Sequence, residues 1–468
     1  MIVASRYRRG RGRVAGLACL AGVALLTLVP SNLAGQGTEA APGADQGPLS
    51  LVEAVSLALG HHPAVGQARA RREAAQGRLD QAASALLPSL ATDASLVRHQ
   101  EPMLVAPLHG FDPTAAPSFD RNLVRGNLSL RYSLYDGGAR DARIRGARAG
   151  TEAARAGEAS VRMEVVMETG EAYLEILSTQ ELLEAARGQR EALEAERSRV
   201  LQLLEVGKAA RVDLLRVDAA LSRSEATEIS LEAGLDVARG KLARLTGLSP
   251  ADVQETSLHP VRLRATGAPE LPVALARARE GNPDLTAARR HRAVAAAAVR
   301  EARSDWLPTV QVAGVYSNFG ALEGGHTQEW QGSLQLSFPL FTGGSREGKV
   351  DRFEAEAREA AEALRLAELR VEDAVEVSRA AVVEARARRE ALERGVQQAG
   401  EVARIEALAL EVGSGVQTDF LRAQAELFQA RASLAQARHA EMMASVRLAR
   451  VSGELTLSWF QENMEVMR

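Results

Sequence analysis

The amino-acid sequence repeats itself within one chain. His62-Pro63 returns as Asn282-Pro283 and Leu87-Pro88 as Leu307-Pro308, both at a separation of 220. Leu134-Tyr135-Asp136-Gly137-Gly138-Ala139-Arg140 returns as Leu340-Phe341-Thr342-Gly343-Gly344-Ser345-Arg346 at a separation of 206. The second spacing also relates Val206-Gly207 to Val412-Gly413, Asp213 to Asp419, Leu215-Arg216 to Leu421-Arg422, Leu242 to Leu448 and Gly247 to Gly453. Chance matches would not hold one register over such a length, so whatever unit the chain folds into is built twice. The drop from 220 to 206 places a longer loop in the first copy, between Pro88 and Gly137.

Within each copy the hydrophobic period changes twice. Asn282 ahead of Pro283 and Asp284 reads as an N-cap, a first-turn proline and an acidic first turn, predicting a helix to about Trp306. Leu307-Pro308 ends it. Leu128, Leu130, Tyr132 and Leu134 then alternate with Asn127, Ser129, Arg131 and Ser133, and Leu334, Leu336, Phe338 and Leu340 alternate with Ser333, Gln335 and Ser337. Each set is a strand with one apolar and one polar face. Partner strands are expected after the prolines, at about 89–98 and 309–318, with Pro102, Pro107, Pro113 and Pro117 marking one loop and Gly320, Gly324 and Gly325 the other. Each copy thus supplies one hairpin. Beyond the paired glycines the pattern is helical over 139–205 and 345–411, 67 residues each, or roughly 100 Å of helix. Apolar residues seven apart, such as Ile176 and Leu183, Leu193 and Val200, or Val375 and Val382, predict supercoiled packing. Turns at Gly207 and Gly413 lead into returning helices over 212–246 and 418–452.

The amino terminus has a different character. Arg6, Arg8, Arg9, Arg11 and Arg13 precede an apolar run of 16 residues from Val14 to Val29, closed by Pro30 and a small polar stretch. This is a secretory signal peptide pattern over 1–34, and the run is shorter than the roughly 20 residues a membrane-spanning helix needs. Cys19, the one cysteine, lies inside it. The mature chain is therefore expected to carry no thiol, which excludes disulfide frameworks, cysteine-ligated metals and cysteine nucleophiles. The expected organisation continues with a linker over 35–48, the first repeat over 49–249 with its hairpin at about 89–135, and an inter-repeat linker over 250–270. The second repeat follows over 271–453 with its hairpin at about 309–341, then a C-terminal tail over 454–468. Lys and Arg number 57 against 60 Asp and Glu, so no strong field recommends nucleic acid as a partner.

Four strands are too few to close a barrel, and a lipid-facing sheet with open edges is not viable. Strands of about 10 to 13 residues that alternate apolar and polar fit a tilted crossing of a bilayer, with closure supplied by several subunits. The competing reading is a secreted periplasmic helical scaffold or adaptor without a pore, whose hairpins form a small soluble sheet with one buried face.

The signal peptide, the duplicated order of helix, hairpin, long helix and returning helix, the Leu-Pro pairs before each hairpin, the Tyr135-Asp136-Gly137-Gly138 and Phe341-Thr342-Gly343-Gly344 exits and the Val206-Gly207 and Val412-Gly413 turns together resemble the TolC-like outer membrane efflux protein family. The resemblance covers nearly all of the mature chain. It implies an α+β membrane protein, a homotrimer in which four strands per chain form a 12-stranded outer membrane β-barrel continued by a long periplasmic α-helical barrel. It implies a passive exit duct of a tripartite efflux or type I secretion system, docked on a periplasmic membrane fusion (adaptor) protein and an inner membrane RND or ABC transporter.

No catalytic constellation is present and no cofactor is expected. His61 and His62 invite a metal, but their counterparts are Gly281 and Asn282, so His62 reads as a helix-start residue. Gly137-Gly138 and Gly343-Gly344 lack the Lys-Ser/Thr of a phosphate loop and are expected to supply backbone freedom where strand becomes helix. The resemblance implies that Val206, Gly207, Lys208 and Ala209, with Val412, Gly413, Ser414 and Gly415, form the periplasmic tips that meet the adaptor. It also implies that Asp419 belongs to a carboxylate ring at the tunnel mouth, with Asp213 and Arg422 beside it. Arg422 stands where the family can show a second acidic ring, and Gly415 and Leu410 stand where an arginine and a tyrosine can lock the mouth. From spacing alone, Asp213 and Asp419 are equally first-turn helix acids, and Arg422 is placed to pair with Asp419 one turn away.

Overall fold

The computed structural model describes residues 48–107, 114, 116–264 and 267–467. The signal-peptide segment, its Cys19 and nearly all of the 35–48 linker lie outside the described residues.

Each copy opens with two helices rather than one. α1 (Leu51–His61) and α2 (Pro63–Ser84) part at His62, whose φ of −67° and ψ of 126° are extended. α6 (Leu271–Gly281) and α7 (Pro283–Ser304) part in the same way at Asn282. The cause is steric, because a proline ring disfavours helical backbone in the residue before it. The helix starts are capped, that of α1 by Ser50 and those after the breaks by His62 and Asn282. Ser50 Oγ accepts the Glu53 N–H at 3.2 Å while Glu53 Oε2 accepts the Ser50 N–H at 2.9 Å, a reciprocal capping box. Asn282 Oδ1 accepts from the Asp284 and Leu285 N–H groups at 2.9 and 3.1 Å.

The hairpins are β1 (Ser89–Leu104) with β2 (Phe119–Tyr135), and β4 (Thr309–Ala321) with β5 (His326–Ser337). They join into one antiparallel sheet of order β1-β2-β4-β5, leaving β1 and β5 as its edges. The first hairpin's strands, of 16 and 17 residues, are longer than the 10 to 13 expected, so the extra length of the first copy goes partly into strand and not only into loop. β5 stops at Ser337. Phe338 and Leu340, expected to continue its alternation, therefore lie beyond the strand.

α3 (Ala139–Glu205) and α8 (Ser345–Glu411) run 67 residues each, and α4 (Arg211–Thr246) and α9 (Gln417–Ser452) return along them. Leu183, Leu193, Val200, Val375 and Val382 are buried at their seven-residue spacings. α3 packs against α2, α4, α7 and α9, which joins the two copies side by side. About half way along α3 sits the main core, where Tyr173, Leu174, Ile176, Leu242, Val446 and Phe460 are fully buried. The inter-repeat linker and the C-terminal tail are structured there. α5 (Pro250–Glu255) and β3 (Val261–Leu263) come from the former, α10 (Leu457–Asn463) and β6 (Met464–Val466) from the latter. β3 and β6 pair antiparallel, and Tyr173 reaches the Leu49 and His259 carbonyls with its hydroxyl at 2.8 and 2.7 Å. Among the described residues no helix is long and apolar enough to cross a membrane.

Candidate functional site

The register of the sheet sorts its side chains onto two faces. Leu128 lies opposite Thr92 on one side and Tyr316 on the other, and Tyr316 lies opposite Trp330. Leu130 lies opposite Leu90, and Tyr132 opposite Val312, which faces Leu334. All of these point one way because their positions differ by even steps along paired strands. The fold leaves this apolar face open, with Leu90 66%, Trp330 79% and Leu334 70% exposed. The odd positions make the opposite face from Asp93, Asn127, Ser129, Arg131, Ser133, Ser317, Gln331, Ser333 and Gln335. It is polar, and Asn127 donates to Asp93 across it at 2.7 Å.

Where β2 ends, Gly137 and Gly138 have φ of +67° and +88°, and Gly343 and Gly344, past β5, have +63° and +82°. L-residues carrying a Cβ adopt this left-handed region at a cost of about 1–2 kcal/mol, so the chain turns there on glycine. Beside each pair an arginine holds the junction. Arg140 donates from Nε to Asp136 at 3.0 Å, and to the Ala85 and Leu134 carbonyls at 3.3 and 3.4 Å. Arg346 donates to Thr342 Oγ1 at 3.2 Å and to the Asp305 and Leu340 carbonyls at 3.5 and 3.4 Å, and it stacks over Trp306 with its guanidinium carbon 4.5 Å from the ring centre. Every hydrogen-bond partner is the repeat equivalent of its counterpart, with Thr342 in place of Asp136, while the stacking is particular to the second copy, since Leu86 stands where Trp306 would be. Sequence reasoning passed over these two arginines, although both stand in the duplicated junction motif.

At the far ends of the long helices, Gly207 and Gly413 have φ of +76° and +77°. The Lys208 N–H closes the first turn on the Leu203 carbonyl at 2.7 Å, and the Ser414 and Gly415 N–H groups both reach the Ala409 carbonyl at 2.9 Å. A Cβ at Gly415 would lie 3.0 Å from Ala409. Val206 and Val412 are 66% and 68% exposed, and Lys208, Gly207, Gly413 and Ser414 are exposed around them, with Ala209 half-buried. The two aspartates differ in their partners. Asp213 accepts the Ala210 N–H at 3.2 Å and pairs with Arg216 at 3.4 Å. Asp419 and Arg422 are both exposed, and the expected pairing between them is not formed among the described residues. The Asp419 carboxylate is thus presented to solvent in the first turn of α9, beside the Gly413 turn.

His62 Nδ1 accepts the Ala64 N–H at 3.3 Å, which makes it the N-cap of α2. Among the described residues no group of His, Cys, Asp and Glu is arranged to hold a metal ion. The inter-repeat seam of α3 and α9 is charged. Glu171 pairs with Arg447 and Glu181 with Arg438, each at 3.2 Å, and His439 lies 3.5 Å from Glu181. The hydrogen bond from His439, with Arg438 adding to it against desolvation, holds the Glu181 carboxyl below its ordinary range.

Comparison with known proteins agrees with this geometry. The family model described as outer membrane efflux protein matches residues 54–248 and 274–454, one match to each copy. Protein CyaE of Bordetella pertussis is 28% identical over 446 residues, covering 90% of this chain and 91% of the relative. Alkaline protease secretion protein AprF of Pseudomonas aeruginosa is 29% identical over 196 residues, 40% of each chain. The crystal structure of the outer membrane protein VceC from Vibrio cholerae superposes with a TM-score of 0.75 at 21% identity, over 86% of this chain and 96% of that one. The chain therefore belongs to the outer membrane efflux protein family and is an outer membrane channel component with a long periplasmic helical extension.

Proposed function

We propose that three copies of this chain close a 12-stranded barrel and its helical tunnel, and that the assembly is the passive exit duct of a tripartite efflux or type I secretion system. The observation that carries this reading is the sheet: one exposed apolar face, one polar face and two unpaired edges. A sheet in water buries its apolar face, whereas a barrel wall in lipid turns that face outward and lines an aqueous lumen with the other. The helices give the same message. α3 buries residues along its whole length between neighbours of both copies, while on α8 Leu369, Val377, Val402 and Ile405 remain 47 to 61% exposed. What α8 lacks is the pair of neighbours that α2 and α4 would supply from another copy.

The exposed tips at Val206–Ala209 and Val412–Gly415 then form the far end of the duct and the contact for a periplasmic adaptor, behind which an inner membrane RND or ABC transporter supplies the energy. Asp419, free of Arg422, would form a threefold carboxylate ring at the mouth, with the tethered Asp213 behind it. The resemblance to an alkaline protease secretion protein favours protein secretion within this class. The purified protein should migrate as a heat-dissociable trimer from outer membrane fractions and conduct in planar bilayers, with cation preference reduced in Asp419→Asn. A soluble monomer without conductance would remove the duct, and conductance insensitive to Asp419→Asn would remove only the ring.

A further inference from the structure

We infer the residue-by-residue register in which one copy's β5 pairs with the β1 of the next, from a ladder already formed inside the chain. Ser89 pairs with Arg131 in the first hairpin, and Thr309 pairs with Ser337 in the second. The two pairs are related by shifts of 220 for the first strand of a hairpin and 206 for the second, so the sequence repeat is also a repeat of backbone pairing. Between the hairpins, Leu128 pairs with Tyr316 and Tyr132 with Val312. The same shifts carry the β2–β4 ladder onto the two open edges. They place Leu334 opposite the partner's Leu96, Leu336 opposite the partner's Ala94 and Phe338 opposite the partner's Thr92.

Three observations support this register independently of the arithmetic. The faces agree, because Leu334, Leu336, Leu96 and Ala94 all belong to the apolar side, and a slip of one residue would set apolar positions against polar ones. Phe338 gains a pairing partner, which accounts for an alternating pattern that continues in sequence beyond the end of β5. The junction fits as well. A Cβ on Gly137 would lie 2.8 Å from Leu307 Cβ and from the Ser304 carbonyl, whereas Gly343 has open space around it and Leu87, the repeat equivalent of Leu307, is 69% exposed. Gly343 is the empty half of a contact whose other half is the partner's Leu87.

This register rests on the three-copy closure proposed above, and the test separates the two. Directly opposed strand residues have Cα atoms about 4.5–5.5 Å apart, inside the disulfide range of about 4.4–6.8 Å, and diagonal neighbours lie beyond it. The full chain carrying Leu334→Cys with Leu96→Cys should oxidise to a trimer that survives boiling without reductant. Leu334→Cys with Ala94→Cys, and Leu334→Cys with Arg98→Cys, should crosslink several-fold less. A heat-dissociable trimer in which a shifted pair crosslinks best, or no pair does, overturns the register and leaves the closure standing. A monomer in every variant and in the parent overturns both.

Discussion

Gly137 and Gly343 occupy the same step of the repeat but differ in what surrounds them, and that difference can be converted into energies. Gly138 and Gly344, one residue on, have positive φ and nothing within 4 Å of a built Cβ. Alanine at either costs the left-handed backbone alone, about 1–2 kcal/mol. At Gly137 the same strain is joined by a Cβ 2.8 Å from Leu307 Cβ and the Ser304 carbonyl, an overpacking of about 1–3 kcal/mol more. Gly137→Ala should therefore destabilise the protomer by about 2–5 kcal/mol. Gly343→Ala should match Gly344→Ala in the protomer, because no neighbour is present, and exceed it only where a partner's Leu87 closes the space. Across the three interfaces of the proposed trimer the excess is about 3–9 kcal/mol. The assay is the temperature at which the trimer dissociates in detergent, read by gel migration for the four alanine variants. Equal dissociation temperatures for Gly343→Ala and Gly344→Ala would refute the claim that the intramolecular junction is copied between subunits.

Gly453→Ala should be among the most damaging single changes, about 3 kcal/mol or more, because its Cβ would run into the Gly281 carbonyl group at a φ of +76°; thermal unfolding measures this, and Gly247→Ala, facing only the His61 side chain at 3.1 Å, should cost less. Glu181 titrates lower folded than unfolded, so its contribution is present above the unfolded carboxylate value of about 4.3 and is lost as pH falls through its folded value. Glu181→Gln should lower stability at pH 7 and reduce the further loss seen in wild type near pH 3; an unchanged acid limb would show that the His439–Arg438 cluster contributes nothing there. Arg131 is the one charged side chain in three successive rungs of the polar face, the others being Ser133, Gln311 and Gln335, then Ser89, Ala313 and Ser333, then Ala91, Ser129, Val315 and Gln331. In the proposed 12-stranded barrel, about 24 Å across, three such arginines would reach inward to within about a 10 Å Debye length at 0.1 M salt. Arg131→Gln should shift the reversal potential toward cations in 0.1 M KCl and hardly at all in 1 M, and an unchanged potential at low salt would exclude Arg131 from selectivity.

Much of this architecture is legible in the sequence because a duplication reports twice on every element. Gly137-Gly138 and Gly343-Gly344 mark both strand-to-helix junctions, and the seven-residue spacing of Leu193 and Val200 marks a buried seam. What escaped depends on contacts far apart in the chain. The 454–468 segment reads as a tail because three residues of β6 carry too little pattern to announce a partner, and that partner, β3, lies two hundred residues earlier. The extra opening helices escape for a local reason, since Pro63 and Pro283 mark helix starts and α1 and α6, 11 residues each, end two residues before them at His61 and Gly281. Asp213 and Asp419 are indistinguishable by spacing, and only side-chain geometry separates the one tied to Arg216 from the one left free.

The order of the sheet also dictates how the protein can reach its membrane. Each hairpin leaves a helix and returns to one, α2 to α3 through β1 and β2 and α7 to α8 through β4 and β5, so each strand pair would have to cross the membrane led by its own turn. A lone protomer cannot make that crossing. Its β1 and β5 edges would carry unpaired N–H and C=O groups into hydrocarbon at several kcal/mol each, far more than the marginal stability of a folded chain. The edges must find one another before or during insertion, and the parts able to bring them together in water are the long helices. Under the proposed three-copy closure, the long helices are the scaffold on which the barrel is assembled, and a chain whose helices cannot associate should be stranded outside the membrane with its hairpins intact.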